Sequence, residues 1–170
     1  MKKARPTRQQ LAEAITDQLA RRHSTAMVLF HHALAERLEL GPTDHKCLDL
    51  LRENPNMSAS NLAAATGLTT GAITGVVARL ERSGFLSREP DPADARKQVL
   101  RALPEGVARI RDAVAPLRRD LVDLLDAFDA DQLAAIKDFL AGSTELALRH
   151  ASLLRARPLL MNTARGRTRA

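Results

Sequence analysis

The sequence predicts a mainly α protein with a small β-hairpin wing: a winged helix-turn-helix flanked by long helices. Three observations carry that prediction. Apolar residues make up 45% of the chain, while aromatics are 2% and Trp and Tyr are absent. The core must therefore be built from Leu, Ala, Val and Ile, which favours helices. Apolar residues recur at helical spacing at both ends of the chain. The rhythm breaks between Phe85 and Leu103, where two short runs flank Pro90-Asp91-Pro92.

Thr7-Arg8-Gln9-Gln10 has the form of a capping box. Leu11, Ile15, Leu19, Ala26, Phe30 and Leu34 follow at helical intervals, and Gly41-Pro42 ends the helix. At about thirty residues it is long for a globular helix. Thr43 is placed to cap a second helix, which stops before Asn54-Pro55. Ser58 caps a short third helix with Gly67 as its terminator, and Thr69 caps a fourth that Gly84 ends. Phe85 to Glu89 and Val99 to Leu103 read as paired strands with a long tip. From Glu105, the residues Val107, Ile110, Val114, Leu117, Leu121 and Leu124 mark a new apolar stripe. Asp129 then caps a last helix carrying Leu133, Ile136, Leu140, Leu146 and Leu153, which Pro158 closes. The expected segments are 1–42, an N-terminal helix; 43–104, the winged helix-turn-helix; 105–157, two C-terminal helices; and 158–170, a basic, disordered tail.

Net charge is +6, which suggests a polyanionic partner. The distribution weakens the suggestion. Lys2, Lys3, Arg5 and Arg8 lie at one end, and Arg149, Arg155, Arg157, Arg165, Arg167 and Arg169 at the other. The residues between are net acidic, so the tails carry the excess. Such tails serve either as nonspecific DNA-binding arms or as solvated ends. The single Cys47 excludes an intramolecular disulfide and fits a reducing compartment. No signal-peptide pattern and no membrane-length apolar run occurs, so a cytoplasmic protein is expected. No paired carboxylates, nucleophile–base pair or Gly-rich phosphate loop stands in a suitable context, so no enzyme and no cofactor are expected.

The turn Thr66-Gly67-Leu68-Thr69 between two short helices is a helix-turn-helix signal, though a weak one alone. The fourth helix sharpens it. At about 100° per residue, Ile73, Val76, Val77 and Leu80 share one face, while Gly71, Thr74, Gly75, Ala78 and Arg82 share the other. Two glycines on an exposed helix face cost ~1 kcal/mol each relative to Ala. Close approach to a DNA groove would explain them; a merely tolerated surface is the alternative. Thr70 and Thr74 are placed to meet a base edge or phosphate. Arg79 and Arg82 can reach backbone phosphates, or pair with Glu81 or another acid. Ser58, Ser60 and Asn61 open the third helix, where free N–H groups can bind phosphate or the side chains can simply cap. The hairpin tip runs from Arg88 to Lys97. An Arg on such a tip, here Arg96, suits a narrow minor groove, with Asp94 placed to hold the tip in shape.

Leu62-Ala63-Ala64-Ala65-Thr66-Gly67-Leu68-Thr69, Arg79-Leu80-Glu81-Arg82-Ser83-Gly84-Phe85-Leu86 and Asp94-Ala95-Arg96 together resemble the multiple antibiotic resistance regulator (MarR) family. The order of elements agrees over nearly the whole chain. The resemblance implies a transcriptional regulator, usually a repressor. It also implies a homodimer whose terminal helices interlock through stripes such as Leu11, Ile15, Leu19, Leu140, Leu146 and Leu153. Each head would then serve one half-site of a palindrome in double-stranded DNA, with half-sites roughly 10 bp apart. One departure stands out. Leu103-Pro104-Glu105-Gly106 replaces the family's Leu-Thr before the next helix, so a shifted helix start is expected.

The resemblance further implies release from DNA by a small, often aromatic or phenolic effector. Met27, Phe30, His31 and His45 are the candidate pocket residues; core or interface roles are the alternative. Cys47 is not placed where the family's peroxide-sensing Cys is expected. His23, His31, His32, His45 and Cys47 include possible metal ligands, but no spacing matches a strong metal motif, so none is expected.

Overall fold

The computed structural model describes residues 6–156. Lys2, Lys3 and Arg5, the stop at Pro158 and the tail 158–170 lie outside the described residues. The elements run α1 (Arg8–Glu13), a π-helical segment (Ala14–Leu19), α2 (Ala20–Arg37), α3 (Pro42–Glu53), α4 (Ala59–Thr66) and α5 (Thr70–Arg82). Then come β1 (Leu86–Pro90), β2 (Gln98–Ala102), α6 (Pro104–Leu125) and α7 (Ala130–Ala156). The described residues are thus mainly helical with one two-stranded antiparallel sheet. It divides into two compact units, one ending at Ala115 and one starting at Pro116. Among the described residues, no single helix is long and apolar enough to cross a membrane.

Caps set most helix starts where the local sequence places them. The Thr7–Gln10 box opens α1, Ser58 caps α4 through the Asn61 N–H, and Thr69 caps α5 through the Ala72 N–H. Asp129 and Gln132 cap each other ahead of α7. The second helix differs. Gly41, not Thr43, is the cap residue of α3, with Pro42 in the first turn and the Gly41 N–H donating to Asp44 Oδ2 at 3.3 Å. Pro42 takes the first helical position because its missing N–H would be unpaired there anyway. The same logic starts α6 at Pro104, one residue before the expected Glu105. The long first helix is interrupted by one π-helical segment, in which the Ala20 N–H bonds to the Ile15 carbonyl.

The core of the first unit joins every element from α2 to α6. Leu34, Ala35 and Leu38 meet Cys47, Leu48 and Leu51 of α3, Leu62 of α4, and Ile73, Val76, Val77 and Leu80 of α5. Phe85, Leu86, Leu100 and Ile110 complete it. Gly106 has a packing reason. A Cβ there would lie 2.7 Å from the Phe85 Cα, so only Gly lets α6 cross the entry to β1 this closely. The second unit holds the end of α6 and all of α7, and no residue described in it is buried.

Candidate nucleic-acid interface

The helix-turn-helix is built around Gly67. Its φ of 73° is left-handed, which Gly adopts without steric cost, and it ends α4. α4 and α5 then turn by 115° across the break, within the range of such motifs. Ile73, Val76, Val77 and Leu80 are buried against the core. This fixes the opposite face of α5 outward: Thr70, Gly71, Thr74 and Arg82 are exposed, while Gly75 and Ala78 are half-buried. The Thr74 hydroxyl donates to the Thr70 carbonyl at 2.9 Å.

The two glycines of that face differ. A Cβ on Gly71 would meet nothing within 4 Å among the described residues, so no packing there accounts for it. A Cβ on Gly75 would lie 3.3 Å from Arg79 Nη1. Gly75 therefore also gives room to the Arg79 guanidinium, which the sequence pattern did not reveal. Arg79 Nε and Nη2 donate to Asp44 Oδ2 and Oδ1 at 2.8 and 2.7 Å. The acid it pairs with is thus Asp44, not Glu81. The Arg79 side chain is 49% exposed and that of Asp44 only 3%. This two-pronged bond locks α5 to α3 while the rest of the guanidinium faces outward. Glu81 pairs instead with Arg88 of β1, at 3.2 Å, and ties the wing to α5.

At the opening of α4, the Ser58 hydroxyl accepts from the Asn61 N–H at 3.1 Å and is also bonded to the Asn61 side chain. Ser60 is exposed beside them. The wing is held by two more links. Arg101 donates to Glu89 at 2.6 Å and to Asn56 at 3.0 Å, and the Leu100 N–H donates to the Met57 carbonyl at 2.9 Å. The root of the wing is thereby fixed to the segment just before α4.

The wing tip is shaped by two aspartates. The Ala93 N–H donates to Asp91 Oδ1 at 2.8 Å, and the Arg96 N–H to Asp94 Oδ1 at 3.2 Å, both Asx turns. The Asp94 carboxylate also takes Arg96 Nε at 3.0 Å and lies 3.6 Å from Lys97 Nζ. These bonds, led by the Arg96 side chain, hold the Asp94 carboxyl below its ordinary range. The Arg96 side chain is 91% exposed, so the tip presents a fixed cation to solvent.

A second group lies where α2 packs on α3. The Phe30 and His31 rings meet edge to face, and the His31 and His45 centroids are 5.4 Å apart. Met27, Phe30 and His31 are half-buried and His45 is buried. His45 Nδ1 lies 3.5 Å from Asp49 Oδ2, too long for a hydrogen bond, and neither ring nitrogen of His45 has a hydrogen-bond partner among the described residues. A buried polar group left so costs ~1–3 kcal/mol. Burial lowers the pKa of both histidines, keeping them neutral at neutral pH.

Cys47 points into the core, and burial, reinforced by Asp44, pushes its thiol up to about 11. Its thiolate is scarce at neutral pH, so it is a poor nucleophile. Alkylation of native Cys47 by iodoacetamide at pH 7.5 should be far slower than in urea-unfolded chain. Equal rates would show an accessible, activated thiol.

The sequence and the fold both match a known family. A family model described as "MarR family" matches residues 40–97, from the cap of α3 through the wing tip. Uncharacterized HTH-type transcriptional regulator YcgE of Bacillus subtilis (strain 168) is 39% identical over 129 residues, covering 76% of this chain and 84% of that protein. The chain belongs to the MarR family. Solved MarR structures share the fold. A MarR family protein from Bacillus stearothermophilus superposes with a TM-score of 0.64 at 20% identity, covering 84% of this chain and 99% of that one. A mutant of MepR from a multidrug-resistant S. aureus clinical isolate gives 0.65 at 16% identity, covering 76% and 94%. MarR-family proteins are DNA-binding transcriptional regulators, not enzymes. Within this MarR fold, sequence reasoning missed the residues that act across long separations: Asp44, Asn56, Glu89 and Arg101. Each is an ordinary polar residue in its own segment, and only the packed chain gives it a role.

Proposed function

We propose that this chain is a homodimeric repressor that reads a palindromic operator in double-stranded DNA, in the cytoplasm, and lets go when an effector binds. The observation that carries the DNA reading is the outward face of α5, where Gly71 has no neighbour to account for it. Small side chains there let the helix backbone approach the major-groove edges closely. Thr70 and Thr74 make the base-edge contacts, with Thr69, Gly71 and Gly75 lining the approach. Ser58, Ser60 and Asn61 at the start of α4, and the free part of Arg79, meet phosphates. Arg96 enters the minor groove beside the half-site, with Asp94 holding it and Arg88 and Lys97 nearby. So few base contacts leave much of the specificity to DNA shape and to the spacing of two heads.

The dimer is supported by apolar surface that the single chain leaves open. Leu11, Ile15 and Leu19 are 50%, 38% and 54% exposed, and Leu140, Leu146 and Leu153 are 52%, 50% and 54% exposed. Stripes of this size on long helices mark association surfaces. Residues 1–42 and 105–157 thus form the dimerisation part, and 43–104 the reading head. The effector, a small aromatic or phenolic molecule, would lie against Met27, Phe30, His31 and His45, where α2 meets the helix that anchors Arg79. Its mechanism would be a shift between head spacings, only one of which fits both half-sites.

Mobility shift with genomic fragments, repeated across salt concentrations, tests the proposal. A steep loss of affinity with salt, a preference for one fragment and a dimer by sedimentation are expected. Sequence-indifferent or salt-insensitive binding would overturn it. Gly71→Ala gives a sharper test on the helix itself. The added methyl meets open space, so unfolding stability should hold or rise by up to ~1 kcal/mol. Operator affinity should nevertheless fall. Unchanged affinity would mean that the small face is only tolerated.

A further inference from the structure

We propose a binding site for a first-row divalent transition metal ion, of the zinc or nickel class, formed by His31, His45 and Asp49. His45 and Asp49 stand four residues apart on α3 and so share one face. His31 approaches them from α2, and one ligand atom from each of the three lies within 4.8 Å of the others. The His45 Nδ1–Asp49 Oδ2 separation of 3.5 Å is close to the roughly 3.3 Å edge of a tetrahedron with metal–ligand bonds of about 2.0–2.1 Å. Small rotations of the half-exposed His31 and Asp49 side chains suffice to close the rest. Two imidazoles and a carboxylate suit zinc, nickel or cobalt rather than magnesium or calcium, which take oxygen ligands. A fourth position is left for water or an incoming ligand.

The second, independent observation is His45 itself. It is 1% exposed, and among the described residues both of its ring nitrogens lack a hydrogen-bond partner, as does His31 Nδ1. A histidine that serves only to fill a core normally finds a partner for its N–H. A metal ion would use the free Nδ1 of His45. Competition comes from Lys46 and Arg52, whose cations lie 3.4 and 3.7 Å from the Asp49 carboxylate. Both side chains are solvent-accessible, at 52% and 36%, and can swing aside when the ion replaces their charge. The ion would clamp α2 to α3 next to Asp44, the anchor of Arg79. The site does not depend on the DNA-reading proposal, and metal binding can be measured without DNA.

The test uses the full chain, stripped with chelator and titrated with Co²⁺ and then Zn²⁺. One ion per chain is expected, with a ligand-field absorption that Zn²⁺ displaces and a rise in melting temperature on binding. The double variant His31→Gln/Asp49→Asn should lose more than about a hundredfold in affinity, beyond the ~10–100-fold that changing a supporting residue costs. His23→Gln/His32→Gln removes two exposed histidines of the same helix and should bind as the parent does. His31→Gln alone, at a half-exposed ring, serves if the double variant fails to fold by circular dichroism. Binding that survives the site variants, or is lost with the exposed pair, or is absent in the parent chain, overturns the proposal.

Discussion

Arg96→Ala should lower operator affinity by about ten- to a hundredfold for each head that engages, with the fold intact. Nothing in the wing's shape depends on that guanidinium. The tip is fixed by the Asp91 and Asp94 carboxylates on backbone N–H groups and by the Lys97 N–H on the Asp94 carbonyl, at 2.8 Å. The Arg96 side chain is 91% exposed, so truncating it opens no cavity. What it supplies is positive charge, presented at a constant position, where a narrow minor groove concentrates negative potential. Asp94 helps by aiming the side chain, and the bond between them is exposed enough to exchange for DNA. Fluorescence anisotropy against operator DNA measures the loss, and a thermal melt checks the fold. An unchanged affinity would remove the wing from the account.

Arg79→Ala should destabilise the fold by about 3 kcal/mol, at the lower end of the ~3–5 kcal/mol for stripping a partner from a buried charge. The reason is asymmetry. Asp44 is almost fully buried while Arg79 is half-exposed, so removing the Arg strands a carboxylate that cannot reach water. Among the described residues, only the Gly41 N–H, at 3.3 Å, remains to it. Solvent screening of the exposed guanidinium keeps the loss below the top of that range. Arg79→Lys should recover only part of it, because an ammonium cannot reproduce the paired Nε and Nη2 bonds. Urea unfolding followed by circular dichroism measures both. A loss under about 1 kcal/mol would mean that water reaches Asp44 after all.

The legible parts of the fold were those written in short stretches. Thr7 with Gln10, Ser58, Thr69 and Asp129 each announce a helix start, because a cap and the donor it satisfies lie within three residues. Gly67 and the period of Ile73, Val76, Val77 and Leu80 reveal the turn and the buried face of α5 for the same reason. Pro42 starts α3 earlier than a Thr43 cap would, since a Pro in first position outweighs the neighbouring hydroxyl, and Pro104 starts α6 one residue before Glu105 with no hydroxyl cap beside it. The pairs that set the geometry were not legible. Arg79 and Asp44 are 35 residues apart, and nothing in the segment around Arg79 singles out Asp44 among the acids of the chain. Gly106 sits early in an expected helix with no local reason to be Gly, and the Phe85 Cα, 2.7 Å from where a Cβ would stand, explains it. His31, His45 and Asp49 have no motif spacing, because their meeting is made by two helices packing. The exposed Leu stripes were legible as helix faces; what covers them is a property of a second molecule.

Footprinting of purified protein on the DNA flanking its own gene reads operator choice and head spacing together. A single protected, approximately palindromic segment is expected, with half-sites about one helical turn apart, roughly 10 bp centre to centre. Protection should persist at moderate salt and should weaken with Arg96→Ala. Uniform protection without a preferred segment, or one unpaired site bound by a monomer, would contradict a dimer that reads a palindrome.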